Sequence, residues 1–298
     1  MKGTGWAVLA ALILGTGADR VAGQGRGAPG SVVFYSARAG NNEIYVMDPD
    51  GGRPTRVTEH PASDVDPAIS PNGRDIVFTS NRTGNNDILL IDSRGGPAIN
   101  LTNNQANEGW ARWAPNGEHI VFQSNRDGNF ELYVMNRDGS GQTRLTNHPG
   151  IDQFPDWSQN GQEIAFRRDL DIYVYVMDLS TGGTRRLTNA PPLNQMPAWS
   201  PNGQQLVFMS TRDGYPSVFI MDADGSEQRN LTPKDVGDAD VEWVSRAPSW
   251  STNGRHIYFM SSRPSTGLDT ELFIMNLDGT GVTRLTTSIG VDGSPRSR

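Results

Sequence analysis

The chain of 298 residues carries a formal net charge of −7 at pH 7 and contains no cysteine. A net negative surface argues against nucleic acid as a partner, because binding to phosphates needs clustered lysine and arginine side chains. The absence of cysteine excludes disulfides, thiolate chemistry and a lipoprotein attachment site, and it suits an exported bacterial protein.

The N-terminus is predicted to be a cleavable export signal, 1–23. A lysine and an apolar run, 6–14, precede small residues at 21–23, which is the order found in such signals. The apolar run is too short to cross about 30 Å of hydrocarbon as a helix, so no integral membrane segment is expected after signal removal. We therefore predict a periplasmic or secreted protein, with a short linker, 24–30, before a single domain, 31–298.

One repeat unit of about 44 residues accounts for the chain after residue 30, and it is clearest at 110–146. Its runs of β-branched and aromatic residues predict four strands, at 111–114, 120–124, 131–135 and 143–146. The Asn116-Gly117 pair supplies two positions that tolerate positive φ, which predicts a two-residue hairpin turn, and Asp138-Gly139 predicts another.

The number and spacing of the repeats predict the fold. A closing Leu-Thr or Val-Thr pair occurs six times, at 57–58, 101–102, 145–146, 187–188, 231–232 and 285–286. This period is typical of propeller blades, so we predict an all-β, six-bladed β-propeller of four-stranded antiparallel blades. A bulky side chain that recurs before Asn-Gly is predicted to pack between blades, at Ile69, Trp113, Trp157, Trp199 and Trp250.

The two ends of the repeat region are predicted to share one blade. The run 31–36 has no strand before it, whereas 292–297 resembles the first strands of the other copies. The C-terminal strand is therefore predicted to close the ring inside the first blade, which removes exposed sheet edges. A closed ring needs no second copy, so a monomer is expected.

The repeat reads D-x-x-P-x-W-S-P-N-G, then I-V-F-x-S-x-R-D-G-N, then E-L-Y-V-M-N-x-D-G, then R-L-T. It resembles the WD40-like (PD40) repeat of the TolB-type propeller family over about residues 31–298. Similar propellers serve as the Pal-binding domain of TolB, as the gating domain of prolyl-oligopeptidase-like enzymes, and in certain pectate-degrading lyases. TolB also has a preceding α/β domain that engages TolA, and with only 24–30 between the predicted signal and the first blade, that domain is not expected here.

Arginine recurs after the second strand in five of the six repeats. Repetition at equivalent positions predicts a structural ion pair rather than a site, because a site would differ between blades. The residues are Arg38, Arg82, Arg126, Arg212 and Arg263.

Function is predicted where the repeats depart from regularity. Two insertions, in 233–246 and 263–270, both belong to the sixth repeat, and strand direction places them on the same face of the disc. Acidic residues and one aromatic residue in the first insertion are predicted to contact a partner: Asp238, Asp240, Glu242 and Trp243.

The residues that begin the innermost strands are predicted to circle the channel mouth on that face: Asp64, Glu108, Asp152, Asn194, Ser245 and Asp292. Trp110 is assigned to the same surface. Carboxylates gathered there would form a negative funnel for a basic or amine-bearing peptide or a cation. The alternative is that each acid caps its own strand-entry loop through backbone hydrogen bonds.

These observations predict an exported, non-enzymatic protein-binding module whose partner is an envelope protein or peptide, Pal-like by resemblance, within a Tol-type complex or outside one. No cofactor is predicted, and a divalent cation in the channel stays open. The enzyme alternative is a carbohydrate-active lyase or hydrolase that uses mouth carboxylates, because two suitably spaced carboxylates can hydrolyse glycosides. No G-x-S-x-G motif is present, which argues against a serine hydrolase.

Overall fold

Six four-stranded antiparallel sheets form the part of the protein that the computed structural model describes, residues 30–168, 173–189, 193–233, 244–262 and 269–297. The six-bladed propeller predicted from the repeats is confirmed. The predicted signal, 1–23, and nearly all of the predicted linker lie outside the described residues.

Each blade is numbered by its place in the chain. Blade 1 contains β1 (Val32–Ser36), β2 (Glu43–Met47) and β3 (Thr55–Arg56). Blade 2 contains β4 (Asp64–Ile69), β5 (Asp75–Ser80), β6 (Asp87–Asp92) and β7 (Ile99–Asn100). Blade 3 contains β8 (Glu108–Trp113), β9 (His119–Ser124), β10 (Glu131–Asn136) and β11 (Thr143–Arg144).

The second half of the ring repeats the pattern. Blade 4 contains β12 (Asp152–Trp157), β13 (Glu163–Arg168), β14 (Tyr173–Asp178) and β15 (Thr184–Arg186). Blade 5 contains β16 (Asn194–Trp199), β17 (Gln205–Ser210), β18 (Ser217–Asp222) and β19 (Arg229–Asn230). Blade 6 contains β20 (Ser245–Trp250), β21 (His256–Ser261), β22 (Glu271–Asn276) and β23 (Thr283–Arg284), and β24 (Asp292–Ser297) follows it.

Ring closure occurs as predicted, because β24 pairs antiparallel with β1 as the innermost strand of blade 1. A core cluster joins blade 1 to blade 6 by packing Val32 and Phe34 against Tyr258 and Met260. The Tyr258 hydroxyl also donates a hydrogen bond to the Pro49 carbonyl at 3.1 Å. The first and last blades are therefore joined like any other neighbouring pair.

The hydrophobic core lies between successive blades. Trp113 of blade 3, for example, packs against Ala68 and Val77 of blade 2, and Trp157 packs against residues of blade 3. All five bulky side chains predicted to separate blades are at most 7% exposed. Their predicted role in the inter-blade core is confirmed.

The innermost strands begin earlier than the sequence pattern predicts. In blade 3, β8 begins at Glu108, three residues before the predicted start at Ala111. The third residue of each innermost strand has a positive φ, between 48° and 57°, and the pairing register shifts there. This β-bulge interrupts the regular alternation of side chains, so periodicity identifies only the second half of the strand. The bulged residues are Asp66, Trp110, Phe154, Met196, Ala247 and Ser294.

The predicted two-residue hairpin at Asn116-Gly117 is wrong. Only Gly117 has a positive φ, of 71°. The Ala114 N–H donates to the His119 carbonyl at 2.8 Å, and the Gly117 N–H donates to the Ala114 carbonyl at 2.9 Å, so four residues form the loop. The turn at Asp138-Gly139 is also wider, since Asn136 N–H bonds the Ser140 carbonyl at 2.9 Å and only Gly139 has a positive φ.

Candidate functional site around the channel

The two faces of the disc are distinguished by the direction of the innermost strands. We call the face where these strands begin the top face and the face where they end the bottom face. The Ser245 N–H bonds the Pro216 carbonyl at 2.9 Å, and the Asp292 N–H bonds the Thr270 carbonyl at 2.8 Å. These bonds place the flanks of both sixth-repeat insertions on the top face, although Asp238, Asp240, Glu242 and Trp243 lie outside the described residues.

The six residues predicted to circle the top mouth are all buried, with at most 3% exposure. Four of them are carboxylates that pair with an arginine of the same blade: Asp292 with Arg38 (2.9 Å), Asp64 with Arg82 (2.9 Å), Glu108 with Arg126 (3.2 Å) and Asp152 with Arg168 (2.7 Å). The predicted structural role of the recurring arginines is therefore confirmed for Arg38, Arg82 and Arg126. Contact between these six residues and a partner stays a prediction.

Blades 4 to 6 vary this pairing. In blade 5, Arg212 donates a hydrogen bond to the Asn194 side chain at 3.0 Å. In blade 6, the Ser245 and Ser261 hydroxyls lie 3.1 Å apart, and Arg263 lies outside the described residues. Arg168 was missed by the sequence pattern because it occupies the last position of its strand, where the other blades have serine. Blade 4 thus forms the same ion pair with an arginine that lies two positions earlier in the repeat.

Aromatic side chains line the channel below the top mouth. The rings of Trp110 and Phe154 meet edge to face with centroids 4.5 Å apart. The guanidinium of Arg112 lies 5.3 Å from the Trp110 ring, and that of Arg167 lies 5.4 Å from the Phe154 ring. Trp110, predicted as part of the binding surface, is half-buried and sits at one of the positive-φ positions.

Four charged side chains of the innermost strands were not identified from the sequence: Asp66, Arg112, Asp156 and Arg296. A signal was present for Arg112, Asp156 and Arg296, because the fifth residue of an innermost strand is alanine or serine in three blades and charged in the other three. Burial raises the pKa of Asp66, and Arg112 opposes that shift. Burial, followed by the charge of Arg296, lowers the pKa of Arg112 to about 9.

Within the described residues, no group of three or more His, Cys, Asp or Glu side chains is arranged to hold a metal ion. The same residues contain no helix with the length and apolar character needed to cross a bilayer.

The closed ring of six four-stranded sheets, with ion pairs at the start of four innermost strands, defines a six-bladed β-propeller. The family model described as TolB beta propeller domain matches residues 26–111 and 167–246, more than half of the chain. The chain belongs to the TolB β-propeller domain family, as the repeat predicted.

Comparison with individual proteins agrees with this assignment. A Tol-Pal system protein TolB of Geobacter sulfurreducens is 43% identical over 47 residues, which are 16% of this chain and 11% of the relative. The crystal structure of TolB from Acinetobacter baumannii superposes with a TM-score of 0.77 at 24% identity, over 90% of this chain and 66% of that one. The chain thus spans less than two thirds of either protein.

Two further solved structures share the fold. A putative TolB from Agrobacterium tumefaciens has a TM-score of 0.68 at 22% identity, over 86% of this chain and 88% of that chain. An oligogalacturonate lyase from Vibrio parahaemolyticus has a TM-score of 0.55 at 12% identity, over 86% of this chain and 74% of that chain. At these identities the likeness concerns the fold alone.

Proposed function

We propose that this protein is an exported, monomeric, non-enzymatic binding module, and that it binds an envelope protein or peptide on its top face at the junction of blades 6 and 1. The observation that carries the proposal is Ile289, which is 91% exposed in the loop between β23 and β24. The equivalent positions before other innermost strands hold Pro61, Gln105 and Pro149. An exposed apolar side chain on this loop marks this part of the face as different from the rest.

The loop that presents Ile289 is held at its base. The Ala37 N–H donates to the Val291 carbonyl at 3.0 Å, and the Ser288 hydroxyl donates to the Asp292 carboxylate at 2.7 Å. Binding to a loop already fixed in place loses less conformational entropy than binding to a free one. The acidic residues predicted for the neighbouring insertion, Asp238, Asp240 and Glu242, would attract a partner with basic groups.

An envelope location and a Pal-like partner are supported by the relatives, which are named Tol-Pal system proteins. The predicted export signal, 1–23, agrees with that location. The enzyme alternative receives less support, because the carboxylates nominated for it, Asp152 and Glu108, are buried and bound to arginines. A carboxylate held in such a pair is poorly placed to exchange protons with a substrate.

The test is a pull-down from envelope extract followed by calorimetry with the purified captured protein. The native protein is compared with a variant carrying Ser at Asp238, Asp240, Glu242 and Trp243, and with Ile289→Ser. Ile99→Ser is the matched control, because Ile99 is also exposed, at 59%, but lies on the outermost strand β7. We expect affinity to fall about tenfold or more in both top-face variants and to stay unchanged in the control.

Two results would overturn the proposal. One is a captured partner whose affinity does not change in either top-face variant. The other is turnover of oligogalacturonides or aryl glycosides by the native protein that disappears in Asp152→Asn or Glu108→Gln variants that remain folded, which would favour the enzyme alternative.

A further inference from the structure

The bottom end of the channel contains a cavity of about 230 Å³, which we call the axial cavity. It is lined by the fifth residue of every innermost strand: Ala68, Arg112, Asp156, Ala198, Ser249 and Arg296. The sixth residues, including four tryptophans, also line it. All six blades therefore contribute to this site, which lies at the opposite end of the channel from the surface proposed for the protein partner.

The residues that line the axial cavity include five buried polar atoms that have no hydrogen-bond partner: Arg112 Nε, Arg112 Nη2, Trp157 Nε1, Trp199 Nε1 and Ser249 Oγ. Arg112 is 4% exposed, and its one hydrogen bond runs from Nη1 to the Ala111 carbonyl at 2.7 Å. All five atoms can donate a hydrogen bond, and the four nitrogen atoms cannot accept one. Buried donors left unpaired are costly, so their grouping in one cavity calls for an acceptor.

A comparison between blades indicates that the unpaired indole N–H groups occur only in one part of the ring. Trp113 and Trp250 occupy the equivalent position, and their Nε1 atoms donate to the carbonyls of Ala68 and Ala198 at 3.1 and 3.0 Å. In each case the preceding blade has alanine at its fifth position. The two tryptophans without a partner follow the blades that carry Arg112 and Asp156 at that position. Thus the indole N–H groups are unpaired only where the channel is charged.

The charges of the wall favour a single negative charge inside the cavity. Arg112 and Arg296 contribute two positive charges, and Asp156 contributes one negative charge. Asp66, whose charge would also act on both arginines, is not among the lining residues, and burial raises its pKa, which favours its neutral form. Asp156 Oδ2 already accepts the Trp199 backbone N–H at 2.8 Å, and no ion pair joins either arginine to a carboxylate in the described part of the chain. A dianion such as phosphate would leave the cavity with one excess negative charge beside Asp156. A carboxylate brings the total charge of the cavity to zero, and its two oxygens fit the planar guanidinium fork.

We infer that the axial cavity binds a carboxylate group, which accepts hydrogen bonds from Arg112 and from the unpaired donors of Trp157, Trp199 and Ser249. Arg296 adds a second positive charge. The carboxylate can belong to a small organic acid or to a peptide, as a C-terminus or an acidic side chain. This inference is independent of the partner surface proposed for the top face.

The test measures binding by calorimetry and by the NMR signal of the Arg112 Nε–H. Acetate is compared with acetamide, which has the same shape without the charge. A short peptide with a free C-terminus is compared with the same peptide amidated, so that the two sources of the carboxylate are separated. The variants are Arg112→Gln, Trp199→Phe, which removes the N–H and keeps an aromatic ring, and Arg137→Gln as a control, because Arg137 is ion paired to Asp75 on the exposed surface.

We expect saturable binding of acetate or of the free-acid peptide and none of the neutral analogues. Arg112→Gln should weaken binding about tenfold or more, since hydrogen bonds to charged groups contribute at least that much, and Arg137→Gln should not. Binding of acetate identifies a small acid as sufficient; binding of the peptide alone identifies a peptide carboxylate. Arg112→Gln breaks no ion pair and should fold. If Arg112→Gln does not fold, the affinity of Trp199→Phe for the carboxylate provides the second measurement.

The inference is overturned if neither carboxylate binds the folded native protein, or if acetamide or the amidated peptide binds equally well. Unchanged affinity in folded Arg112→Gln would overturn it too. If Arg112→Gln fails to fold, unchanged affinity in Trp199→Phe has the same meaning.

Discussion

The threonine that closes each repeat acts through its side chain rather than as part of a strand. Strand β11 ends at Arg144, before Leu145 and Thr146. The Thr146 hydroxyl accepts the Leu132 N–H at 2.9 Å and donates to the Glu131 carboxylate at 2.5 Å. Leu145 enters the core between blades. The Leu-Thr pair thus anchors the end of each repeat to the third strand and to the core between blades. This structural role explains why the pair recurs so regularly.

Glu43, the equivalent acid of blade 1, should give a measurable pH dependence. Burial alone would raise its pKa, but hydrogen bonds from the His60 N–H, the Thr58 hydroxyl and the Arg56 guanidinium outweigh burial and lower the pKa below the ordinary 4.5. A lowered folded-state pKa stabilises the protein above the unfolded-state value, and this contribution is lost as the pH falls through the folded-state pKa. We expect Glu43→Gln to reduce the thermal midpoint most at neutral pH.

The check is the difference in thermal midpoint between native protein and Glu43→Gln, followed from neutral pH to below 4.5. The difference should narrow on acidification. Glu118→Gln, at an exposed turn, controls for the loss of one negative charge. A difference that stays constant, or widens toward acid, would contradict the assigned role.

The Asp152–Arg168 pair should tolerate an amide but not an apolar side chain. Blade 5 already uses an amide at this place, where Asn194 accepts a hydrogen bond from Arg212 at 3.0 Å. Asp152→Asn should therefore cost about 1 kcal/mol of unfolding free energy, the value of a typical hydrogen bond. Asp152→Leu removes the carboxylate that neutralises Arg168, which is 11% exposed, and should cost about 3 kcal/mol or more. Denaturant unfolding measures both, and equal losses would refute the comparison.

Among the elements, the hairpin between the third and fourth strands of a blade contacts the preceding blade. Gly139 has a φ of 85°, and a Cβ at this position would lie 2.7 Å from the Leu101 carbonyl oxygen of blade 2. Glycines 51, 225 and 279 show the same close approach to a leucine carbonyl. This turn therefore needs glycine for two reasons, its backbone conformation and the space available.

Gly139→Ala should reduce the unfolding free energy by about 2 kcal/mol or more, because strain and steric overlap add. Gly214 is the matched control, since its φ is also positive, at 88°, and nothing lies within 4 Å of a Cβ there. Gly214→Ala keeps the backbone strain without the steric overlap and should cost only about 1 kcal/mol. Denaturant unfolding of the two variants separates strain from contact, and similar losses would mean that the contact contributes nothing.

How far the sequence predicted each element depends on how local its signal is. The third strand β10 (Glu131–Asn136) was predicted almost to the residue, because its β-branched and aromatic run is continuous. The first strand β8 (Glu108–Trp113) was predicted only from Ala111, because the bulge at Trp110 and the polar start hide the pattern. Turn chemistry identified Gly117 but not the length of its loop, since hydrogen bonds across the turn decide that length.

The candidate site was harder to predict than the fold. Side chains at the start of the innermost strands were expected to face the channel, yet Asp64 and Asp152 turn to arginines of their own blades. The charged lining at Arg112 and Arg296 went unnoticed because the two residues are far apart in the sequence. They come together only through the ring, which brings blade 3 and blade 1 to a common axis.

At the scale of the whole molecule, we expect stability to depend on the closure of blade 1 by β24. This strand covers the edge of β1 (Val32–Ser36) and supplies Asp292 to Arg38. It also packs against β20 of blade 6 and β4 of blade 2. No other blade of the described ring combines strands from both ends of the chain, so we expect the ring to unfold as a cooperative unit only when the C-terminal strand is bound.

A chain truncated after Gly290 should therefore lose cooperative unfolding. Without β24, the hydrogen-bonding edge of β1 is exposed, and exposed edges promote association with other chains. We expect a lower thermal midpoint, a broader transition and higher-order species in sedimentation velocity. A synthetic peptide of residues 291–298 should restore the native transition and the monomer, whereas a scrambled peptide of the same composition should not. A truncated chain that unfolds with the native midpoint and sharpness would mean that the five complete blades hold the ring without closure, and that β24 serves only to supply Arg296 to the axial cavity.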